Sequence, residues 1–306
     1  MKRSIPLLLR LLACSFKPIH PADGVSILVF TKDRPLQLEA LLRSMAQHVR
    51  GVEHAFVNVL WKASSEAYAS GYRELQREYP GITFMQENQF RDDLIYLLRQ
   101  SQTAAVVFLV DDLLFVNSFD LDWLSSVDLR YQVPSIRLDS KITYSQPGAH
   151  PAPPPPLQPS AKQPWLRFSW TRSVGPWAMP LSVDGNVFCR DEMLLLASHT
   201  AYRAPNSFEA ALGPYRFWFK RRQGLCLPQR AIQNFALNRV QDENLSFACG
   251  DCGPEVLQQC WNKGERLDVE AMTQRSAAST HLVCEPEFFK KSLKMNTMQS
   301  EVLASK

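Results

Sequence analysis

Two acidic residues, Asp111 and Asp112, directly follow an unbroken apolar segment, Ala104 to Val110. That segment has the pattern of a buried strand, and two adjacent carboxylates raise each other's pKa unless a cation, an arginine or hydrogen-bond donors compensate. Magnesium and manganese prefer carboxylate oxygen and bridge to phosphates. The pair therefore indicates an anchor for a metal and a diphosphate; the alternative is a solvated turn in which one aspartate caps a helix.

A second polar group, Thr31, Asp33 and Arg34, follows another apolar and β-branched segment, Val25 to Phe30. In open α/β sheets, ligands bind outside the carboxyl ends of the strands. Both polar groups stand at such ends, so we expect them to lie near each other and to bind an anionic ligand.

The pattern around these residues alternates strands with helices. Buried-strand patterns occupy residues 25–30, 55–61, 82–85 and 104–110, and the first three are followed by helical spacing that begins near Pro35, Ser64 and Phe90. Such alternation predicts an α/β fold with a mostly parallel, Rossmann-like central sheet flanked by helices. Later patterns predict strands at 133–138 and 181–188, helices at 190–197, from 205 and at 255–261, and an ambiguous apolar stretch at 232–237.

The organisation predicts an apolar and basic segment at 1–23, a single domain at 24–270 with a proline-rich surface loop at 146–164, and a polar tail at 271–306. Arg10 interrupts the N-terminal apolar run, which is also too short to span a membrane. A helix docked on the domain is favoured there over a helix on a membrane surface.

Composition excludes several classes of protein. Hydrophobic residues at 45% and charged residues at 21% exclude a disordered chain, and a net charge of +4 is too small for a nucleic-acid binder. Seven cysteines, an odd count, favour reduced thiols in a cytoplasmic protein. The sequence lacks the metalloprotease, nucleophile-elbow, Walker and dinucleotide-binding motifs, which removes those functions.

Two further clusters have open interpretations. Cys249, Cys252 and Cys260, with Cys226, could form a zinc site, although only one closely paired spacing is present and free thiols are the default. The basic residues 220–222 beside aromatic residues 217–219 could contact phosphate or lipid headgroups. The alternative is a solvated face with its aromatic rings tucked underneath.

Several segments together resemble bacterial GT-A fold glycosyltransferases of the family 2 type. The similarity covers roughly residues 24 to 270. It is carried by Gly24–Pro35 (GVSILVFTKDRP), Val106–Asp112 (VVFLVDD), Pro134–Leu138, Pro180–Phe188, Ala204–Glu209, Asn238–Gln241 and Gly264–Asp268. The resemblance implies transfer of a sugar from a nucleotide-sugar donor to the hydroxyl of a glycan or lipid-linked acceptor, in surface polysaccharide or glycolipid assembly.

The resemblance also implies roles for particular residues. Thr31, Asp33 and Arg34 would surround the base and ribose of the donor. Asp111 would face the ribose or a Mn²⁺ or Mg²⁺ ion, and Asp112 the ion and the diphosphate. Leu113 stands where many relatives have a third acidic residue, which weakens the expected metal dependence. That departure supports an alternative interpretation, in which the protein is a catalytically inactive relative that binds sugar nucleotides or other partners.

Three more residues could act on the donor or the acceptor. Arg137 could bind phosphate through its planar fork, or could instead pair with Asp139 on the surface. Asp184 precedes a glycine that permits close approach of a ligand, and Glu209 could be a capping-box glutamate. If the enzyme inverts the sugar, Asp184 or Glu209 would be the general base; if it retains the configuration, a carboxylate would stabilise positive charge on the sugar. Peripheral contact with the inner membrane surface is compatible with these interpretations.

Overall fold

The computed structural model of the protein describes residues 24–146, 148–161, 164–240, 252–275 and 277–290. The helices are α1 Pro35–His48, α2 Glu66–Glu78, α3 Phe90–Gln100, α4 Arg190–His199, α5 Pro205–Leu212, α6 Arg216–Phe219, α7 Pro254–Asn262 and α8 Val269–Thr273. The first strands are β1 Val25–Lys32, β2 Val49–Arg50, β3 Phe56–Lys62, β4 Thr83–Gln86, β5 Ala105–Val110, β6 Leu113–Phe115, β7 Phe119–Asp120, β8 Gln132–Ser135 and β9 Tyr144–Ser145. The remaining strands are β10 His150–Pro151, β11 Gln158–Pro159, β12 Leu166–Ser169, β13 Val187–Cys189, β14 Gln223–Cys226, β15 Ile232–Phe235, β16 Glu265–Leu267, β17 His281–Leu282 and β18 Phe288–Lys290.

A five-stranded sheet forms the centre of the fold, in the order β13-β5-β1-β3-β4. Strands β5, β1, β3 and β4 are parallel, and β13 adds an antiparallel edge. This arrangement confirms the predicted α/β class with a mostly parallel sheet. In the register of β1, Phe30 lies opposite Val110 of β5, so the residues that follow both strands emerge side by side.

Apolar side chains on alternate positions of β1 enter two separate hydrophobic clusters. Ile27 and Val29 pack with α1 in one cluster, whereas Leu28 and Phe30 pack with α3 in the other. Burial on both faces explains why the strand sequence is continuously apolar rather than alternating. The core therefore lies above and below the central sheet and leaves the carboxyl edge as the place where polar groups collect.

The predicted strand at 181–188 is shorter than expected and spans only β13. Gly185 has φ of 76°, in the left-handed region, which interrupts an extended strand. The ambiguous stretch at 232–237 contains β15, which pairs with β6 and β17. Pairing therefore continues beyond the expected domain end at residue 270, because β17 and β18 lie within 277–290 and join β15 and β16.

The proline-rich region 146–164 is an extended surface segment over its described residues, with the two-residue strands β10 and β11 at its borders. The expected N-terminal segment 1–23 and the final part of the predicted tail lie outside the described residues. Within the described ranges, none of the helices is long and apolar enough to cross a membrane.

Candidate active site

The loop after β1 is fixed by three hydrogen bonds, two to Tyr72 and one to Ser64. Thr31 Oγ1 lies 2.7 Å from the Tyr72 hydroxyl, which also accepts the Arg34 N–H at 2.9 Å. Asp33 has a positive φ of 56°, and its carboxylate accepts the Ser64 N–H at 2.6 Å. A non-glycine residue is strained in this conformation. The strained conformation persists where surrounding hydrogen bonds hold the residue in place. The loop is thus preorganised, with Arg34 directed towards the end of β5.

Arg34 provides the compensating charge for the acidic pair. Its Nη1 atom donates to Asp111 Oδ1 at 2.9 Å and to Asp112 Oδ2 at 3.3 Å. The second oxygen of Asp111 accepts the Lys32 N–H at 3.3 Å, and Asp112 Oδ1 accepts from Asn234 Nδ2 at 2.6 Å. Asp111 and Asp112 also line a small cavity on the core side. The alternative of a solvated turn is therefore wrong, because the pair is buried in a bonded cluster.

Asp112 carries negative charge that its neighbours only partly balance. Burial, together with the negative charges of Asp111 and Asp184, raises the pKa of Asp112 to about 7, against the opposing effect of Arg34. The side chain keeps 17% of its surface exposed, compared with 4% for Asp111. Asp112 is therefore the acidic residue of the pair that is placed to meet a positively charged ligand.

A second charged group lies next to this pair. Arg137 Nη1 lies 3.5 Å from Asp184 Oδ2, so the alternative pairing of Arg137 with Asp139 is wrong. Asp139 instead accepts the backbone N–H groups of Lys141 and Arg230, both at 3.0 Å. Asp184 raises the pKa of Asp112, which shows that the two charged groups interact electrostatically.

Glu209 belongs to the second group. Burial, followed by the charge of Asp184, raises the pKa of Glu209 to about 7, while Arg137, a hydrogen bond with Ser182 and the charge of Arg216 act in the opposite direction. The capping-box interpretation of Glu209 is wrong, because Ser207 occupies the third helical position of α5 and accepts the Ala204 N–H at 2.9 Å. A carboxyl group that titrates near neutral pH suits a general base.

His281 is a further residue of the candidate site, and the sequence patterns did not indicate it. It lies on β17, opposite Asn234 of β15. Burial lowers its pKa to about 4; the charge of Asp184 opposes this shift and that of Arg137 adds to it. The imidazole is therefore neutral at physiological pH and faces the same charged group.

Several buried polar atoms of the described site residues have no hydrogen-bond partner within the described chain. They are Nε of Arg34, Arg137 and Arg216, Oδ1 of Asn234 and Nδ2 of Asn238. A buried polar atom without a partner is costly, and a ligand rich in oxygen donors and acceptors would satisfy such atoms. These five atoms are therefore available to a polar ligand at the candidate site, and other such atoms lie elsewhere in the described chain.

The strand β5 holds both charged groups in place. Asp111 and Asp112 follow it directly, and its Phe108 carbonyl accepts the Gly185 N–H at 2.9 Å. The Gly185 carbonyl in turn accepts the Ile136 N–H at 3.0 Å. Phe108 also packs edge to face on Phe208, at 5.9 Å between ring centroids, beside Glu209 on α5. One strand therefore positions the acidic pair, Asp184 and the helix that carries Glu209.

Gly185→Ala should lower the free energy of unfolding by about 2 kcal/mol or more, because a side chain at positive φ is strained and the core must also make room for it. A Cβ atom there would lie 2.3 Å from Ile232 Cδ1 and 3.1 Å from Ile136 Cγ1. Urea denaturation measures the change. Gly213→Ala is the matched control, since its Cβ would meet no atom within 4 Å; equal losses for the two variants would contradict the prediction.

The zinc interpretation gains no support. Cys249 lies outside the described residues, and Cys226 is buried in β14, where burial raises its thiol pKa to about 12. Among the residues that the structure describes, no group of three or more histidine, cysteine or acidic side chains is arranged to hold a metal ion.

Comparison with known proteins gives partial similarities to glycosyltransferases. No family model matches the chain. Over 106 residues the chain is 31% identical to the bifunctional glycosyltransferase pgtA of Dictyostelium discoideum; the match covers 32% of this chain and 14% of that protein. The chain therefore spans about a seventh of the curated relative it matches.

Similar solved structures are also glycosyltransferases. S. aureus TarS 1–349 in complex with UDP-GlcNAc is 13% identical with a TM-score of 0.43, covering 74% of this chain and 61% of TarS 1–349. GlyE of Streptococcus pneumoniae TIGR4 is 11% identical with a TM-score of 0.37, covering 82% and 62%. The mannosyltransferase PcManGT from Pyrobaculum calidifontis, in complex with GDP-Man and Mn²⁺, is 18% identical with a TM-score of 0.30, covering 46% and 49%.

Proposed function

We propose that this protein is a glycosyltransferase of the GT-A type, which moves a sugar from a nucleotide-sugar donor to an acceptor hydroxyl. The observation that carries the proposal is the presence of two largely buried charged groups at the carboxyl edge of a parallel sheet, namely Arg34 with Asp111 and Asp112, and Arg137 with Asp184 and Glu209. The partial identity to a glycosyltransferase over 106 residues supports it. Surface polysaccharide or glycolipid assembly is the proposed context.

Different charged residues are proposed to serve the acceptor and the leaving group. The bond between the anomeric carbon of the sugar and the phosphate oxygen breaks, and the nucleoside diphosphate leaves with the electron pair. The acceptor oxygen forms the new bond, and its proton passes to the carboxylate of Glu209, in an inverting reaction. Arg137, whose Nε has no partner among the described residues, is placed to neutralise the leaving diphosphate.

The loop after β1 is proposed to surround the nucleoside of the donor. The residues that stabilise this loop are Thr31, Asp33 and Arg34. Arg34 also holds Asp111, whose two oxygens are both engaged, by the Arg34 guanidinium and the Lys32 amide. Asp111 is therefore proposed to orient Arg34 and to contact the ribose, rather than to bind a metal.

The residues present fit a divalent cation that is held jointly with the donor. Asp112 has a partly exposed carboxylate with unbalanced negative charge, and its Oδ2 is held only by a 3.3 Å contact with Arg34. Magnesium-type sites use one or two carboxylates together with substrate phosphates and water. When bound, such an ion would neutralise charge on the diphosphate. Asp112 is its proposed protein ligand.

Manganese should therefore bind appreciably only when a nucleoside diphosphate is present. We expect isothermal titration calorimetry to show UDP or GDP binding at least about tenfold tighter with manganese than with EDTA, equivalent to about 1.4 kcal/mol. Asp112→Asn should remove that difference. Saturable manganese binding to the protein alone, or nucleotide binding that ignores manganese, would contradict the prediction.

The proposed function is tested by incubating the purified protein with manganese and a panel of nucleotide sugars, with and without candidate acceptors. Slow release of free nucleoside diphosphate, faster with an acceptor, is the expected result. Binding of nucleotide sugars without release, across the whole panel, would overturn the enzymatic proposal and favour an inactive relative that binds sugar nucleotides.

A further inference from the structure

The short helix α6 presents one aromatic ring to solvent and buries another. Phe217 keeps 67% of its surface exposed, whereas Phe219 is completely buried. Arg222 covers the buried ring at 4.3 Å and forms a bidentate ion pair with Glu192, at 2.6 and 2.8 Å. The alternative of a solvated face with tucked aromatic rings therefore holds for the Phe219 ring and is wrong for Phe217, which is exposed, and for Arg222, which is buried.

Two cations lie beside Phe217. Arg221 stacks on the Phe217 ring at 4.5 Å, and Lys220 precedes it at the end of α6. Among the ion pairs of the described residues, neither Lys220 nor Arg221 takes part in one. The sequence also contains no acidic residue between Glu209 and Asp242, so positive charge dominates this segment.

A second exposed ring, that of Tyr131, belongs to a neighbouring segment, and Arg130, which pairs with Asp128, stacks on it at 5.0 Å. Tyr131 is 64% exposed, and its carbonyl accepts the Gln223 N–H at 2.8 Å, which joins it to the chain that follows Arg221. We name Tyr131, Phe217, Lys220 and Arg221 the aromatic-basic patch. Large exposed rings are unusual on a soluble surface when they cluster with cations.

We propose that the aromatic-basic patch docks the protein on a bilayer that contains anionic phospholipids. Aromatic rings with a polar edge settle at the level of the headgroups, and each lysine or arginine near an anionic surface adds to the attraction. The positive charges of the patch are complementary to a surface rich in phosphate groups. Its two exposed rings favour an apolar layer directly beneath those groups. A bilayer interface supplies both.

The aromatic-basic patch and the surroundings of Glu209 share the helix α6. Arg216, immediately before Phe217, contributes its charge to the environment of Glu209. A membrane bound at Phe217 would therefore bring hydroxyl-bearing headgroups or lipid-linked sugars close to the proposed base. This placement of a lipid-linked acceptor rests on the proposed function, whereas docking itself does not require sugar transfer.

The experiment is vesicle sedimentation with the full chain. The vesicles contain phosphatidylcholine alone or an equimolar mixture with phosphatidylglycerol, at low and high salt. We expect binding to the anionic vesicles that weakens with salt. Phe217→Ala should weaken this binding by about tenfold, and Lys220→Ser and Arg221→Ser by about fivefold each. All three side chains lie outside the core, so the midpoint of thermal unfolding should not change.

Tyr96→Ala is the matched control, because Tyr96 is 53% exposed on α3, outside the aromatic-basic patch; its binding should equal that of the unaltered protein. The proposal is overturned if the full chain ignores anionic vesicles, binds both vesicle types equally, or keeps its affinity in the patch variants. Vesicle binding without nucleotide-sugar turnover would count against the proposed function alone. Turnover without vesicle binding would count against docking alone.

Discussion

Glu209→Gln should reduce the rate of sugar transfer by roughly 100-fold to 10,000-fold, the range expected for loss of a general base. The unaltered protein should become more active as pH rises through about 7, because Glu209 must lose its proton before it can accept one from the acceptor. The residual activity of the variant should lack this rise. Initial rates measured across pH, with saturating donor and acceptor, provide the test.

The Asp184→Asn variant tests whether Glu209 or Asp184 is the general base. The charge of Asp184 raises the pKa of Glu209, so its removal should move the rise in activity to lower pH while leaving the rise present. If Asp184 is the base, the outcome reverses, and Asp184→Asn removes the rise whereas Glu209→Gln keeps it.

Asp112→Asn should reduce sugar transfer by about 100-fold or more, because the proposed protein ligand of the cation that neutralises the leaving diphosphate is lost. The same change should leave the free energy of unfolding unchanged or higher at pH 8. The folded protein holds a proton on Asp112 up to about pH 7, whereas the ordinary value is 3.8. Stability from this group therefore falls as pH rises between those values, and the asparagine variant should lack that fall.

Asp92→Asn is the control for this variant. Asp92 lies on α3 with 74% of its side chain exposed, so neither transfer nor stability should change. Rates come from release of nucleoside diphosphate, and stability from urea denaturation at pH 5 and pH 8. An Asp112→Asn variant that retains transfer, or that unfolds much more easily at pH 8, would show that the carboxylate serves the fold rather than a ligand.

The central sheet and its helices could be predicted from local pattern because its central strands, β1 and β5, are buried on both faces. Continuous apolar segments such as Val25 to Phe30 can be recognised as strands without any knowledge of the strands that pair with them. The same reasoning placed Thr31 and Asp111 at neighbouring strand ends, and the register of β1 and β5 confirms that placement.

The individual bonds to the acidic pair could not be predicted, although Arg34 was expected near it, because the bonded residues come from distant parts of the chain. Asn234 bonds to Asp112 across 122 positions, and Arg34 bonds to Asp111 across 77. Tyr72 has the spacing of an ordinary apolar helix residue, yet its hydroxyl fastens the loop after β1. Pairing of short strands such as β17 leaves no periodic signal, so His281 was also missed.

The placement of β17 has a consequence for how the protein is made. The parallel strands and their helices are contiguous in sequence and are synthesised first, whereas Asn234 and His281 follow much later. Domains can begin to fold during translation, and contacts between distant segments form slowly. A nascent chain that has emerged through β6 contains Arg34, Asp111 and Asp112, yet lacks Asp184, Glu209 and His281. The proposed ability to transfer a sugar would therefore be acquired late in synthesis, after most of the sheet is in place.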